Sequence, residues 1–145
     1  MHEPAAVTVI VAPQIYFEPT PPNDQIVHGP ITYVSHCVRH GLPFFGRAYV
    51  GYIPTSERVA PATLRRMVQQ AARGGEGSLE SRLGSMLQVC IKPAGVALVT
   101  RSVHDCRGPR LLEQEGAQRS TWHGRYRTDP SLRTEFLSRC DRGAA

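Results

Sequence analysis

Two short motifs contain the residue types that bind transition metals. Cys37 and His40 are three positions apart and follow a predicted strand, so both side chains can reach one ion. His104 and Cys106 lie where a second predicted strand ends, and positions i and i+2 of a strand emerge on one face. Thiolate and imidazole are the ligands that zinc commonly takes. Cys37, His40 and Cys106 are therefore candidate zinc ligands, although the spacing alone fits buried cysteines beside a surface histidine equally well.

Three protein ligands would make this a catalytic zinc site. Structural sites hold four ligands, whereas catalytic sites keep one position for a water, whose pKa the metal lowers to about 7. The other two cysteines are expected to be structural, since Cys90 lies on the apolar face of a predicted helix and Cys140 lies near the C-terminus. Because no signal-peptide pattern is visible, we expect a cytoplasmic protein whose cysteines are reduced and do not form two disulfides.

Length and composition are those of one soluble domain. The chain has 145 residues, of which 41% are hydrophobic, and no apolar run is long enough to cross a membrane. The formal charge of +5 does not indicate nucleic-acid binding, because the arginines are scattered and no aromatic-rich basic module is visible. The arginines between positions 101 and 127 better suit a phosphate-bearing small ligand. We expect a single domain, residues 1–145, with no nucleic-acid or membrane partner.

Hydrophobic periodicity predicts an α+β fold. Alternating apolar residues indicate antiparallel strands, and apolar stripes at helical spacing indicate amphipathic helices. The expected strands are residues 7–11, 31–35, 44–53, 96–103 and 120–124. The expected helices are residues 61–73, a segment from a capping Ser78 to Ile91, and a segment from the Asp129-Pro130 start signal to residue 138. This order predicts an antiparallel sheet with helices packed on one face.

Three segments together resemble a known enzyme family. Residues 35–54 read S-H-C-V-R-H-G-L-P-F-F-G-R-A-Y-V-G-Y-I-P, residues 95–106 contain G-V-A-L-V and V-H-D-C, and residues 124–137 contain G-R-Y-R-T-D-P and E-F-L. These segments are similar to the GTP cyclohydrolase I signatures S-x-C-E-H-H-x-x-P-F-x-G-x-x-x-V-x-Y-I-P, G-V-A-V-V…E-H-x-C and G-x-F-x-x-D-P…E-F-L. The resemblance covers residues 24–137.

This resemblance implies the tunnelling fold, in which subunits join their sheets into a barrel and active sites form between neighbours. It implies that Cys37, His40 and Cys106 bind Zn2+, in agreement with the argument from ligand types. In the family, zinc-activated water attacks C8 of the guanine ring, formate leaves, and the opened nucleotide is rearranged into a pterin. His104 matches the family's proton-transferring histidine, and imidazole suits that role because it titrates near neutrality.

The chain departs from the family pattern at two places near the expected site. Arg39 replaces the family's second histidine, and an arginine cannot transfer a proton at neutral pH because guanidinium groups stay protonated there, but it can stabilise negative charge. The family's guanine-binding carboxylate matches Gly77, and Glu76 lies one position away. Since one residue turns a helix by about 100°, Glu76 can substitute only where the local backbone differs. Glu80 is another candidate, and both acids also fit an ordinary solvated first turn.

The family's phosphate-binding residues are retained in part. Its L-S-K-x-x-R segment matches residues 61–66, where the serine and lysine are lost and Arg66 remains. Arg110 matches the family's arginine four residues after the ligand cysteine. Arg66 and Arg110 are therefore candidates for holding a phosphate or carboxylate, and an ordinary surface role fits each equally well.

Retained metal ligands with altered substrate contacts predict a zinc-dependent hydrolase of a purine-like heterocycle, with a specificity changed from GTP. The expected substrate is a purine or pterin, bound between the subunits of a homo-oligomer. The alternative is a noncatalytic purine- or pterin-binding oligomer that keeps its zinc. The lost second histidine favours this alternative, and the retained His104 favours chemistry. The nitrile reductase of the queuosine pathway shares the fold, but no equivalent of its nucleotide-cofactor motif is visible.

Overall fold

Four antiparallel strands form the central sheet of the computed structural model, which describes residues 15–17, 24–103 and 117–142. The strands are β2 (Ile26–His36), β3 (Pro43–Ile53), β5 (Gly95–Val103) and β6 (Ala117–Gly124), and they lie in the order β2-β3-β5-β6. A separate antiparallel pair joins β1 (Ile15–Phe17) to β4 (Glu57–Val59). All three pairings in the central sheet are antiparallel, as the alternation of apolar residues predicted.

Two helices cover one face of the sheet. They are α1 (Pro61–Ala72) and α2 (Ser78–Ile91), and their apolar stripes pack against alternate residues of β3. The shared core includes Ala48, Val50, Tyr52, Leu64, Val68, Leu83 and Leu87. Because full burial of such an apolar side chain contributes roughly 1.5–3 kcal/mol, this core fixes the helices on the sheet.

The C-terminal helix packs on the opposite face. After the short α3 (Arg125–Thr128), α4 (Pro130–Asp141) sets Phe136 edge-on to Tyr126, with the ring centroids 6.2 Å apart. Both rings belong to a second core cluster with Tyr49, whose side chain leaves β3 on the face away from α1 and α2. The prediction that helices pack on one face therefore holds for α1 and α2. Helix α4 packs on the other face, because that face also carries apolar residues that need to be covered.

The helix starts are fixed by different groups. At α4, the Asp129 side chain accepts a 3.0 Å hydrogen bond from the Ser131 N–H, as the capping signal predicted. The bonds from Ser131 lower the pKa of the Asp129 carboxyl. The cap expected at Ser78 is wrong: Gly77 is the cap residue of α2, and Ser78 is already helical. The Ser78 hydroxyl instead donates to the carbonyl of Ala71, at 2.7 Å.

The remaining sequence expectations differ from the structure mainly in their bounds. The strands expected at residues 31–35, 44–53, 96–103 and 120–124 lie within β2, β3, β5 and β6, and the helix expected at 61–73 is α1. The strands β1 and β4 and the helix α3 were not predicted, because three or four residues are too few for a periodic signal. The strand expected at 7–11 falls outside the described residues. Within the described part of the chain, no helix is long and apolar enough to span a membrane.

Candidate active site at the β2–β3 turn

Cys37 begins the tight turn that joins β2 to β3. Its N–H donates to the carbonyl of Leu42 and its carbonyl accepts from the N–H of Gly41, both at 2.8 Å. Gly41 has a φ of +68°, in the left-handed region that glycine adopts without steric cost. The turn buries Cys37 and leaves Arg39 and His40 exposed. A thiol and an imidazole three residues apart are thereby brought to the same side of the turn.

The distance between these two side chains fits a shared metal ion. Cys37 Sγ lies 3.8 Å from His40 Nδ1. Two ligands of one tetrahedral zinc ion, at the usual Zn–S and Zn–N bond lengths, are about 3.6 Å apart. Among residues 15–17, 24–103 and 117–142, no third histidine, cysteine or carboxylate completes a metal-binding group with them. The pair is suited to two of the three proposed ligand positions.

Strand β5 ends on the same side of the sheet as this turn. Val103 pairs with Phe45, and Phe45 pairs with Val34 on β2, three residues before Cys37. The segment that follows Val103 contains three of the predicted site residues. They are His104, Cys106 and Arg110, and all three lie outside the described residues. The strand pairing therefore brings the end of β5, at Val103, close to the turn that begins at Cys37.

A small cleft, called here the Glu76 cleft, lies beside the turn, between the sheet and the start of α2. It is lined by Tyr33, Ser35, Phe44, Glu76, Gly77, Glu80, Ser102 and Arg119. The Glu76 N–H donates a 2.8 Å hydrogen bond to the carbonyl of His36, the residue before Cys37. The Ser35 hydroxyl donates a 2.7 Å bond to the carbonyl of Ala72 at the end of α1. These two bonds hold the cleft against the strand that carries Cys37.

Glu76 faces the cleft because two glycines give the backbone an unusual path. Gly75 and Gly77 have φ values of +104° and +88°. Non-glycine residues rarely adopt this region, so the segment does not follow the helical path that the family comparison assumed. The one-residue offset from the family's carboxylate is therefore compatible with a carboxylate in the cleft.

The charged groups of the cleft are paired in different ways. Glu76 Oε2 lies 3.3 Å from Arg119 Nη2, and the side chain of Glu76 is 17% exposed. Glu80 Oε2 accepts a 2.7 Å hydrogen bond from the Thr100 hydroxyl. Burial, reinforced by the Glu80 carboxylate, raises the pKa of the Tyr33 hydroxyl, which therefore remains a protonated donor at neutral pH. Glu76 and Glu80 both reach the cleft, and among the described residues a cation lies against Glu76 and a neutral hydroxyl against Glu80.

Arg119 is the cleft residue that sequence reasoning missed. It pairs with Thr100 across β5 and β6 and contacts Glu76, whereas the predicted strand began one residue later, at Ser120. The alternation of side chains along a strand could have identified it. Arg119 and His123 are four residues apart, so both lie on the same side of β6, and His123 is close to Gly84 of α2.

Two other described arginines, Arg101 and Arg66, do not join the cleft. Arg101 extends from the opposite face of the sheet, where it lies 5.6 Å from the ring centroid of Tyr49 and 3.5 Å from Asp141. Arg66 is exposed on α1, six residues before Ala72 and hence about 9 Å along the helix axis from the cleft end. The described arginines of the region expected to bind phosphate are therefore divided between the two faces of the sheet.

The architecture is that of a tunnelling fold: an antiparallel sheet with two helices across one face and a turn-borne thiol at one end. The crystal structure of an archaeosine synthase QueF-like protein in its apo form has a TM-score of 0.55 to this chain. The match covers 73% of this chain and 97% of that protein, at 18% sequence identity. At this identity the likeness concerns the fold alone.

Sequence comparisons define the family. A family model for GTP cyclohydrolase I matches residues 6–141. The GTP cyclohydrolase 1 of Rhodopirellula baltica is 31% identical over 119 residues, and that of Bartonella quintana is 27% identical over 119 residues. Each match covers 79% of this chain, and 52% and 58% of the two relatives. The chain therefore belongs to the GTP cyclohydrolase I family and spans a little over half the length of these relatives.

The glycine that directs Glu76 provides a test of this geometry. Gly77→Ala should destabilise the protein by about 1–2 kcal/mol, because its φ of +88° is unfavourable for any residue with a Cβ. Steric contact is not the cause, since the nearest heavy atom, on Arg119, is 3.7 Å from the new Cβ. Urea unfolding at a fixed protein concentration measures the loss.

Gly84→Ala is the matched control within the same helix. It should be neutral or stabilise by up to about 1 kcal/mol, because alanine favours helix and its only close neighbour at 3.3 Å is the exposed His123 ring. Equal destabilisation by the two substitutions would contradict the role assigned to the backbone at Gly77.

Proposed function

We propose that this protein is a zinc-dependent hydrolase of a purine-like heterocycle, with a specificity altered from that for GTP. The observation that carries the proposal is the placement of two chemically different groups at one end of the sheet. One is the Cys37–His40 pair at 3.8 Å, and the other is the Glu76 cleft, one hydrogen bond away through His36. The pair suits a metal and the cleft offers a donor and acceptors to a heterocycle. Membership of the GTP cyclohydrolase I family supports the reaction class.

Cys37, His40 and Cys106 are the proposed zinc ligands. Their distance supports the first two, and Cys106 is supported by the family resemblance and by the direction of β5. When bound, zinc supplies Lewis acidity that brings the pKa of water to about 7. Cys37 would bind as the thiolate, which is the form of cysteine that ligates metals. A cytoplasmic location is part of the proposal, because a reducing compartment keeps such thiols available.

His104 is proposed to transfer the proton, since imidazole as a group suits proton transfer near neutral pH. Arg39 is exposed in the turn beside His40 and keeps its charge at neutral pH. It would therefore stabilise negative charge on the substrate and would not exchange protons. On this proposal the chain relies on one imidazole where the family pattern has two.

The substrate-binding residues are proposed as Glu76 for the ring, with Arg66 and Arg110 for a phosphate or carboxylate. Glu76 is the acid of the cleft that lies against a cation. Arg66 is roughly 9 Å from the cleft end of α1, which is too far for the ring and suits the far end of a long ligand or a ligand of an adjacent subunit. A purine or pterin with few or no phosphates would make least use of these arginines.

A noncatalytic binding module is the second candidate function. The observation that favours it is the exposed Arg39 at the position of a proton-transferring histidine. In this case the zinc would hold the turn in place, and the same cleft would capture a purine or pterin without converting it.

The metal assignment predicts about one zinc per chain. Replacing Cys37, His40 or Cys106 by alanine should remove it, whereas Cys90→Ala and Cys140→Ala should keep it. Burial raises the pKa of Cys140 to about 11, so its thiol stays protonated and is a poor ligand. Elemental analysis of the purified variants measures the content, and unchanged zinc in Cys106→Ala would overturn the ligand set.

A homo-oligomer with active sites between subunits is the proposed assembly. Both β2 and β6 are edge strands of the described sheet, and edges of this kind are usually covered by other chains or elements. Beside the turn, the neighbours Val34 and Phe45 are 50% and 67% exposed on the face away from α1 and α2. Light scattering should give the mass of a ring of several subunits. A monomer at micromolar concentration would remove the intersubunit site from the proposal.

The reaction is tested by incubating the zinc-loaded protein with GTP, guanosine, guanine, other purines and reduced pterins, while formate and mass changes are followed. A purine or pterin without the triphosphate should be hydrolysed and GTP should turn over poorly, because the phosphate and guanine contacts are altered. His104→Ala should abolish this turnover and keep the zinc. Efficient conversion of GTP would contradict the altered specificity, and tight binding without turnover would favour the noncatalytic module.

A further inference from the structure

We infer that Arg119 is a specificity-determining residue that reads the ring carbonyl of the substrate, beside the N–H donors read by Glu76. The inference rests on the proposed function, since it names the edge of the heterocycle that the Glu76 cleft would bind. The ligand class is a fused nitrogen heterocycle with a lactam edge, that is, a ring N–H and an exocyclic amino group next to a carbonyl. Guanine and the oxidised and reduced pterins carry this edge, and adenine does not.

The placement of Arg119 is the first argument. It extends from β6 toward the start of α2, and its Nη2 lies 3.3 Å from Glu76 Oε2. Its side chain is 47% exposed, against 17% for that of Glu76. The carboxylate is therefore the inner member of the pair, and the guanidinium is the member closer to solvent, where a ligand would enter.

The energetics of the pair are the second argument. Half-exposed ion pairs contribute little to stability, because water and salt screen them and ordering the side chains costs entropy. A structural role is therefore a weak reason to place an arginine at the mouth of this cleft. Glu80, in the same cleft, is held by a neutral hydroxyl of Thr100, so an acid here does not require a cation beside it.

The complementarity of the pair is the third argument. A guanidinium offers five N–H donors, and an ionised carboxylate accepts several hydrogen bonds with its two oxygens. Placed side by side, they present acceptors next to a donor. A lactam edge presents the opposite pattern, donors next to an acceptor, so Glu76 would accept from the ring N–H and amino group while Arg119 donates to the carbonyl. Hydrogen bonds to charged groups are stronger than those between neutral groups, so the loss of either half of the contact should be measurable by itself.

Ligands that lack part of the edge separate the two roles. Guanosine has the whole edge, inosine lacks the amino group, 2-aminopurine riboside lacks the carbonyl and with it the ring N–H, and adenosine lacks the lactam edge. Binding of these four nucleosides to the zinc-loaded protein is measured by calorimetry, without reference to turnover. In the wild type, 2-aminopurine riboside should bind at least roughly 10- to 100-fold more weakly than guanosine, because it loses the charged hydrogen bond from Arg119 and also the ring N–H that Glu76 would accept.

Arg119→Met keeps most of the length of the side chain and removes its donors. It should weaken guanosine by roughly 10- to 100-fold, the effect of one charged hydrogen bond, and leave 2-aminopurine riboside unchanged, so the difference between the two ligands becomes smaller. Glu76→Gln should instead reduce the difference between guanosine and inosine. Arg47→Met, on the opposite face of the sheet, is the control, and it should preserve the wild-type preference for guanosine over 2-aminopurine riboside.

The outcomes separate this inference from the proposed function. If Arg119→Met weakens all four ligands by the same factor, Arg119 only supports Glu76 and the inference is wrong, even where the wild type hydrolyses a purine. Equal wild-type affinity for guanosine and 2-aminopurine riboside would also overturn it. The expected pattern in a protein that turns over no heterocycle would support the inference and contradict the hydrolase. Absence of binding by all four nucleosides would count against both.

Discussion

The hydrogen bond from the Glu76 N–H to the His36 carbonyl is the constraint on which the candidate site depends. It joins the connection between α1 and α2 to the last residue of β2, at 2.8 Å. Cys37 follows on one side of the bond and the Glu76 carboxylate on the other, so their relative position is set by backbone and not by mobile side chains. The bond from Ser35 to Ala72 adds a second fixed point one residue away. A displacement of the connection would therefore move the acid relative to the thiol.

This junction requires glycine on both sides of Glu76. With Gly75 at a φ of +104°, the backbone conformation disfavours any residue with a Cβ, and a Cβ there would also lie 2.9 Å from the ring of the exposed His36, which would have to move aside. The long apolar core between β3 and the two helices holds both ends of this connection, because its rigidity does not depend on the connection itself. Stability and recognition are thus supplied by different parts of one face of the sheet.

The sequence predicted the elements that have repeating apolar patterns. It did not predict features that depend on tertiary contacts, such as the side of the sheet that a helix covers. Leu79, Leu83 and Leu87 predicted the buried face of α2 correctly, because helical spacing is local information. The side of the sheet that α4 covers could not be predicted. It depends on the path of the chain through α3, and that helix is too short to give a periodic signal. Arg119 was missed because its meaning depends on the pairing of β6 with β5 and on a contact 43 positions away.

Two arginines, Arg39 and Arg119, lie at the candidate site. A guanidinium donates hydrogen bonds and does not act as an acid or base at neutral pH, so each can bind an anion or a carbonyl. Tyr33, whose pKa is raised, is likewise a fixed donor in the cleft. The described residues of the proposed site therefore include several groups suited to recognition, and one histidine of the family pattern is replaced by Arg39. On the proposed mechanism, proton transfer falls to His104, and the discrimination among heterocycles falls to the pair of Glu76 and Arg119.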